Sequence, residues 1–225
     1  MLRVAIHQSQ YLPWPPYLKK IANVDVFVLM DNVQYEKNGV QNRNRIRNQQ
    51  TDFWLTIPVS LHLGDTIRDL RFGQNDWRLK HWKSIQACYG RSPSWGLYGE
   101  DLERLFGMDY ANLAEVNEAF LLFILRSMSI RTRIVRLSDL EVTGQKSELV
   151  LAICKTVGAT VYVSGMGAKS YIQEERFASS GIQIEFRESI PPAYAQFNGV
   201  FIPGLSMLDM MCNVTAGDIQ RYFES

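Results

Sequence analysis

VAIHQSQYLPWPPYLKKIANVDVFVLMD, running from Val4 to Asp31, is the stretch that decides the fold. Val4–Ile6 is a short apolar run that suits a buried strand. Pro13, Pro15 and Pro16 forbid continuous helix or central sheet, so Gln8 to Pro16 reads as a loop. Pro16 fits the first turn of a helix, where its missing N–H costs nothing. Tyr17–Asn23 then continues that helix, with Leu18 and Ile21 on one face. Val26–Met30 is apolar throughout, as in a strand covered on both faces. A strand, a crossover helix and a second buried strand predict a parallel βαβ start.

The last third repeats the alternation. Arg133–Leu137 reads as a strand, Lys146–Val157 as a helix stopped by Gly158, and Val161–Ser164 as a strand. Gly165–Lys169 is a loop, Ser170–Ser179 a helix closed by Gly181, and Ile182–Phe186 a last strand. Between the two ends, Phe53–Val59 and Thr66–Leu70 read as strands. Asp76–Tyr89, Leu102–Phe106 and Leu113–Met128 read as helices. The fold class predicted is α/β: a mostly parallel, Rossmann-like sheet in a single domain over residues 1–225, with a mainly helical insertion over about 76–128.

Composition narrows the function. Hydrophobic residues are 46% and charged residues 21% of 225, which excludes a disordered or fibrous chain. A net charge of +1 argues against a nucleic-acid polymer as partner. Ala119–Leu125, the longest apolar run, is far short of a membrane span. Cys88, Cys154 and Cys212 are few and far apart, without Cys-x-x-Cys, so reduced thiols and a cytoplasmic location are expected. His7, His62 and His81 have no metal-ligand spacing, and no metal site is expected from them. No Gly-x-Ser-x-Gly or Asp-x-Asp motif occurs. Oligomeric state has no signature in the chain.

Four segments could carry chemistry. His7, Gln8, Tyr11, Trp14 and Tyr17 follow the first strand, where open α/β sheets bind ligands. His7 there could contact phosphate or act as acid or base, or simply brace the proline loop. Asp31, Gln34, Tyr35 and Lys37 follow the second strand, and Asp31 could hold an amine, a sugar hydroxyl or Mg²⁺, or form a turn. Asn42, Arg43, Asn44 and Arg45, with Arg47, would in extended chain put the arginines on one face as an anion clamp. The plain alternative is a solvated hairpin. Ser164, Gly165, Gly167 and Lys169 form a Gly-x-Gly loop between strand and helix that can present N–H groups to phosphate, although it is no Walker A sequence.

The pattern His7-Gln8-x-x-Tyr11-Leu12-Pro13-Trp14-x-x-Tyr17-x-x-Lys20-Ile21 resembles the opening of the WbqC-like family. So do Asp25-x-Phe27-Val28-x-x-Asp31-x-Val33-Gln34-Tyr35-x-Lys37, Asn42-Arg43-Asn44-x-Ile46, Ser164-Gly165-x-Gly167-Ala168-x-x-Tyr171 and Leu205-Ser206-x-Leu208-Asp209. Pro16, where glycine is expected, and Val40, where an aromatic is common, depart from the pattern. The resemblance implies a bacterial protein of surface-polysaccharide (O-antigen, lipopolysaccharide) gene clusters, with a nucleotide-linked sugar as small-molecule partner. The activity expected is transfer of an acyl or aminoacyl group, such as glycyl, to an amino sugar, by a transferase or ATP-dependent amide ligase. His7, Asp31 and Lys169 are the catalytic candidates. The alternatives are a nucleotidyl- or glycosyltransferase of the same pathway and a non-catalytic nucleotide-sugar-binding protein. A narrower resemblance, to nucleotidyltransferase-like ligases such as pantoate–amine ligases, implies ATP and Mg²⁺. Trp14-Pro15-Pro16-Tyr17 stands where those enzymes carry their histidine turn, and both histidines are missing.

Overall fold

In a computed structural model describing residues 1–73, 76–197 and 199–225, the apolar runs from both ends of the chain meet in one sheet. The elements are β1 (Arg3–Gln8), α1 (Pro15–Ala22), β2 (Val26–Met30), β3 (Arg43–Arg47), β4 (Asp52–Thr56), β5 (Val59–Ser60), β6 (Arg71–Phe72) and α2 (Trp77–Tyr89). Then follow α3 (Gly99–Gly107), α4 (Leu113–Ser127), β7 (Arg133–Arg136), α5 (Lys146–Thr156), β8 (Val161–Gly165), α6 (Glu174–Ala178), β9 (Gln183–Arg187), α7 (Met207–Asn213) and α8 (Ala216–Glu224).

The main sheet has the order β7-β2-β1-β8-β9 and every pairing is parallel. Counted in chain order among themselves, these five strands run 3-2-1-4-5, a Rossmann-like arrangement. Period-two alternation divides their side chains. Ala5, Phe27, Leu29, Val161 and Val163 pack with α1, α4 and α7. Val4, Ile6, Val26, Val28 and Tyr162 pack with α5 and α6. Both faces are covered, so the strands read as unbroken apolar runs. Helices α2, α3 and α4, between β6 and β7, share the first of these clusters with α1, α7 and α8.

Several local expectations are met for the expected reasons. Pro15 and Pro16 open α1. Gly158 and Gly181 end their segments at φ +76° and +73°. Three are corrected. The strand expected over Phe53–Val59 breaks at Pro58, which has no N–H for a ladder, into β4 and β5. Thr66–Leu70 makes only a single bridge, Gln34 to Thr66, because Asp69 Oδ2 accepts from the Thr66 N–H and hydroxyl and closes a turn. Ser170–Ser179 is not one helix; a 3-10 turn, Met166–Ser170, precedes the short α6.

Residues 188–197 and 199–206 carry no regular element, and Gln196, Val200, Pro203, Gly204 and Ser206 bond along β3 as a strap. Arg47 Nη1 donates to Gln196 Oε1 (2.5 Å) and to the Val200 carbonyl (2.9 Å). The strap is tied down again at Asp209, wholly buried, whose carboxylate accepts from the hydroxyls of Tyr89 (2.9 Å) and Tyr194 (2.7 Å). Among the described residues no helix is long and apolar enough to cross a membrane.

Candidate functional site

In a 3-2-1-4-5 sheet the strand order reverses between the first and fourth strands, here β1 and β8. The crevice beyond their carboxyl ends is where such sheets bind ligands. His7 and Gln8 end β1, and Ser164 and Gly165 end β8. These four line a cavity of about 590 Å³. Lys20 of α1 lines it too, as does Lys146, the first residue of α5. A second cavity, of about 850 Å³, lies beyond β2 and is lined by Gln34, Tyr35, Lys37 and Gly144. The two share Gln8, Met30, Lys146 and Leu149, so they form one cleft with two compartments.

The electrostatics are set by burial. His7 Nδ1 lies 3.2 Å from the Gln8 carbonyl, and the ring meets Tyr17 edge-on at 5.2 Å. Burial, and then the charge of Lys20, push its pKa down to about 4. The imidazole is therefore neutral at pH 7, not the cation that a phosphate contact would prefer. With its proton on Nδ1, toward the carbonyl, Nε2 keeps a lone pair. Burial also lowers the pKa of Lys20. Its ammonium has no hydrogen bond or ion pair among the described residues.

A relay of amides holds the floor of the cleft. Gln41 Nε2 donates to Gln8 Oε1 (2.7 Å), and Gln41 Oε1 accepts from the Glu36 N–H (2.8 Å). The Gln8 carbonyl accepts from the Tyr17 hydroxyl (3.1 Å). Ser164 Oγ, at the end of β8, lies 3.2 Å from the Tyr162 hydroxyl.

The structure brings some sequence candidates together and disperses others. His7, Gln8, Gln34, Tyr35, Lys37, Ser164, Gly165 and Gly167 all line the cleft. Tyr11 is wholly buried beneath it, its hydroxyl 2.8 Å from His81 Nδ1, and Tyr17 is core as well. Trp14 packs against the same apolar cluster. Asp31 is a structural clasp. Oδ1 accepts from the Ser138 N–H (3.0 Å) and Oδ2 from its hydroxyl (2.6 Å). Lys169 lies over the Phe186 ring, at 5.7 Å.

The arginine row does extend as β3, but its guanidinium groups are already engaged. Arg43 donates to the Asn38 and Gly39 carbonyls and lies over Trp54. Arg45 pairs with Asp52 (2.8 Å) and reaches the Pro203 carbonyl. Asn42 and Asn44 brace backbone, donating to the Ile57 and Leu12 carbonyls. Leu12 needs that support, since it sits at φ +46°.

Mg²⁺ finds no ready set of ligands. Both oxygens of Asp31 are taken by Ser138, and no three His, Cys, Asp or Glu side chains cluster among the described residues. The residues present do not fit a protein-held Mg²⁺ site. Lys20 and Lys146 are the cleft residues that sequence reasoning missed. Lys20 stands inside the motif that opens with His7, but a lysine on a helix ordinarily reads as a solvated charge.

An all-parallel sheet with helices on both faces and a lysine-bearing cleft across its switch point defines a Rossmann-like α/β protein. Within that class, the chain belongs to the WbqC-like protein family, which matches residues 8–221. It is 34% identical over 228 residues to the uncharacterized protein Rv1507c of Mycobacterium tuberculosis (strain ATCC 25618 / H37Rv), with 99% of each chain covered. No solved structure matches the chain.

Proposed function

We propose that this WbqC-like protein is an enzyme of bacterial cell-surface polysaccharide synthesis. In this reading it transfers an acyl or aminoacyl group to the amine of an amino-sugar nucleotide. The observation that carries the reading is the division of the cleft into two joined compartments. A nucleotide-linked sugar is itself two-part, a charged diphosphate joined to a neutral ring, and needs a polar site with two joined sections. The switch-point compartment, with its lysines and Gly165–Gly167 turn, suits a phosphate-bearing portion. The compartment beyond β2, with Gln34, Tyr35 and Asn32, suits a sugar ring and its amine. The family resemblance supplies the pathway.

The amine attacks the acyl carbonyl, the C–N bond forms, and the bond to the leaving group, an adenylate phosphate or a carrier thiolate, breaks. The proton released from nitrogen goes to Nε2 of His7. The low basicity of His7 favours a second reading, a nucleotide-sugar-binding protein without turnover.

The test incubates pure protein with ATP, glycine and a 4-amino-sugar nucleotide and follows the mass of the sugar nucleotide and release of AMP or ADP. A gain of one glycyl residue is expected. Absence of any mass gain across a panel of amino and acyl donors, free or carrier-bound, refutes the transferase reading. Thermal stabilisation by the sugar nucleotide without turnover then leaves the binding protein.

A further inference from the structure

We infer that Lys20 and Lys146 form a phosphate clamp that reaches the switch point from opposite faces of the sheet, and that its ligand is a diphosphate group. This deepens the reading above, in which the substrate is nucleotide-linked. Lys20 comes from α1, whose Leu18 and Ile21 pack on one face of the sheet. Lys146 opens α5, whose Val150, Leu151 and Ile153 pack on the other. Both line the compartment at the ends of β1 and β8, and no carboxylate stands among the residues lining it.

Three further observations support the clamp. First, neither ammonium has a hydrogen bond or ion pair among the described residues, whereas Arg43, Arg45 and Arg47 are bonded within the protein. Lys20 also lines a smaller cavity of about 180 Å³ with Arg3, Lys19, Arg187 and Glu188, and no ion pair joins it to Glu188. Lys20 is part-buried, and a recessed ammonium without a counter-charge is costly unless an anion arrives, whereas Lys146 stands exposed at the rim of the cavity. Second, the Lys20 ammonium stands beside Gly165, 3.4 Å from where a Cβ would lie, which puts it at the carboxyl end of β8. Third, Lys146 is held at φ +50°, an unfavourable backbone for a residue with a side chain, at the edge shared by both compartments. One lysine on each side suits an extended dianion better than a single carboxylate.

The test is calorimetric titration of the full chain with inorganic pyrophosphate, with glycine and acetate as carboxylate probes. Pyrophosphate should bind, and Lys20→Met and Lys146→Met should each weaken it about 10- to 100-fold, the usual span for a lost hydrogen bond between charged groups. Lys20→Arg should recover part of the loss, and Lys83→Met on α2 should leave binding unchanged. Circular dichroism and Tm confirm folding. The inference is overturned if native protein does not bind pyrophosphate or if either Lys20→Met or Lys146→Met binds it as tightly as native. It is overturned equally if Lys169→Met or Arg43→Met carries the loss, or if glycine or acetate binds as tightly with the same lysine dependence. Pyrophosphate binding does not depend on turnover. A protein that binds it through both lysines but forms no amide keeps the clamp and loses only the transferase reading.

Discussion

Acid should unfold this protein through a buried histidine, and replacing that histidine should remove the effect. His81 of α2 is 6% exposed, packed against Tyr11, Trp77 and Phe106, with its Nδ1 2.8 Å from the Tyr11 hydroxyl. Burial pushes its pKa from 6.5 down to about 4. The folded chain therefore refuses a proton that the unfolded chain accepts between those values. Stability from this group is complete above pH 6.5, falls as pH drops through the interval, and is fully lost below about 4. At ~1.36 kcal/mol per pH unit, the whole interval is worth ~3 kcal/mol, of which ~2 kcal/mol is lost by pH 5. His7, shifted in the same direction, adds to the slope by less, because it is only half-buried and water screens part of its charge. Urea denaturation of native protein and His81→Gln between pH 7 and pH 4.5 measures the difference. The variant is less stable at pH 7, having lost aromatic packing, but its stability should decline with acid by ~2 kcal/mol less over the window. Parallel pH profiles for the two proteins would refute the reasoning.

Two other substitutions probe the frame around the cleft. Asp209→Ala leaves the buried hydroxyls of Tyr89 and Tyr194 without their acceptor, at about 1–3 kcal/mol each. Relief of a buried carboxylate, whose pKa is raised by burial, offsets part of this, for a net loss of about 2–3 kcal/mol in urea denaturation. The strap it anchors should also become open to chymotrypsin at the exposed Phe197 and Phe201. Gly144→Ala should cost about 1–3 kcal/mol in thermal unfolding, because φ is +133° there and the new Cβ would meet the Leu149 amide nitrogen at 3.1 Å.

The sheet was legible because its physics is local. Val26–Met30 and Val161–Ser164 are apolar on both alternating faces, which only a strand between two helical layers needs. The placing of His7 at the carboxyl end of β1 follows from strand length alone. The fate of Arg43, Arg45 and Arg47 could not be read, since their acceptors come from the turn at Asn38 and Gly39, from Asp52, and from a strap some 150 residues onward. Tyr11 and Tyr17 look like ligand-stacking groups beside proline and amide residues, yet a proline loop at a sheet edge needs large side chains beneath it, and that is where they pack. Lys20 is hidden for the opposite reason. On a short amphipathic helix a lysine that follows another lysine, Lys19, reads as solvent-facing, and only the arrival of β8 encloses it.

The central pair of strands joins distant parts of the chain. Arg3 of β1 lies opposite Val161 of β8, and Leu2 bonds to Thr160, 158 residues away. Such pairings are closed late, after the entropy of a long loop has been met. On a ribosome adding about 5–20 residues per second, β1 waits roughly 8–30 s for its neighbour, with one edge uncovered. The switch-point compartment is built from the ends of those same two strands, so it does not exist until that closure. A ligand bound there cannot guide early folding. It holds shut a seam that forms late, and its binding energy opposes global unfolding rather than the fraying of a single loop.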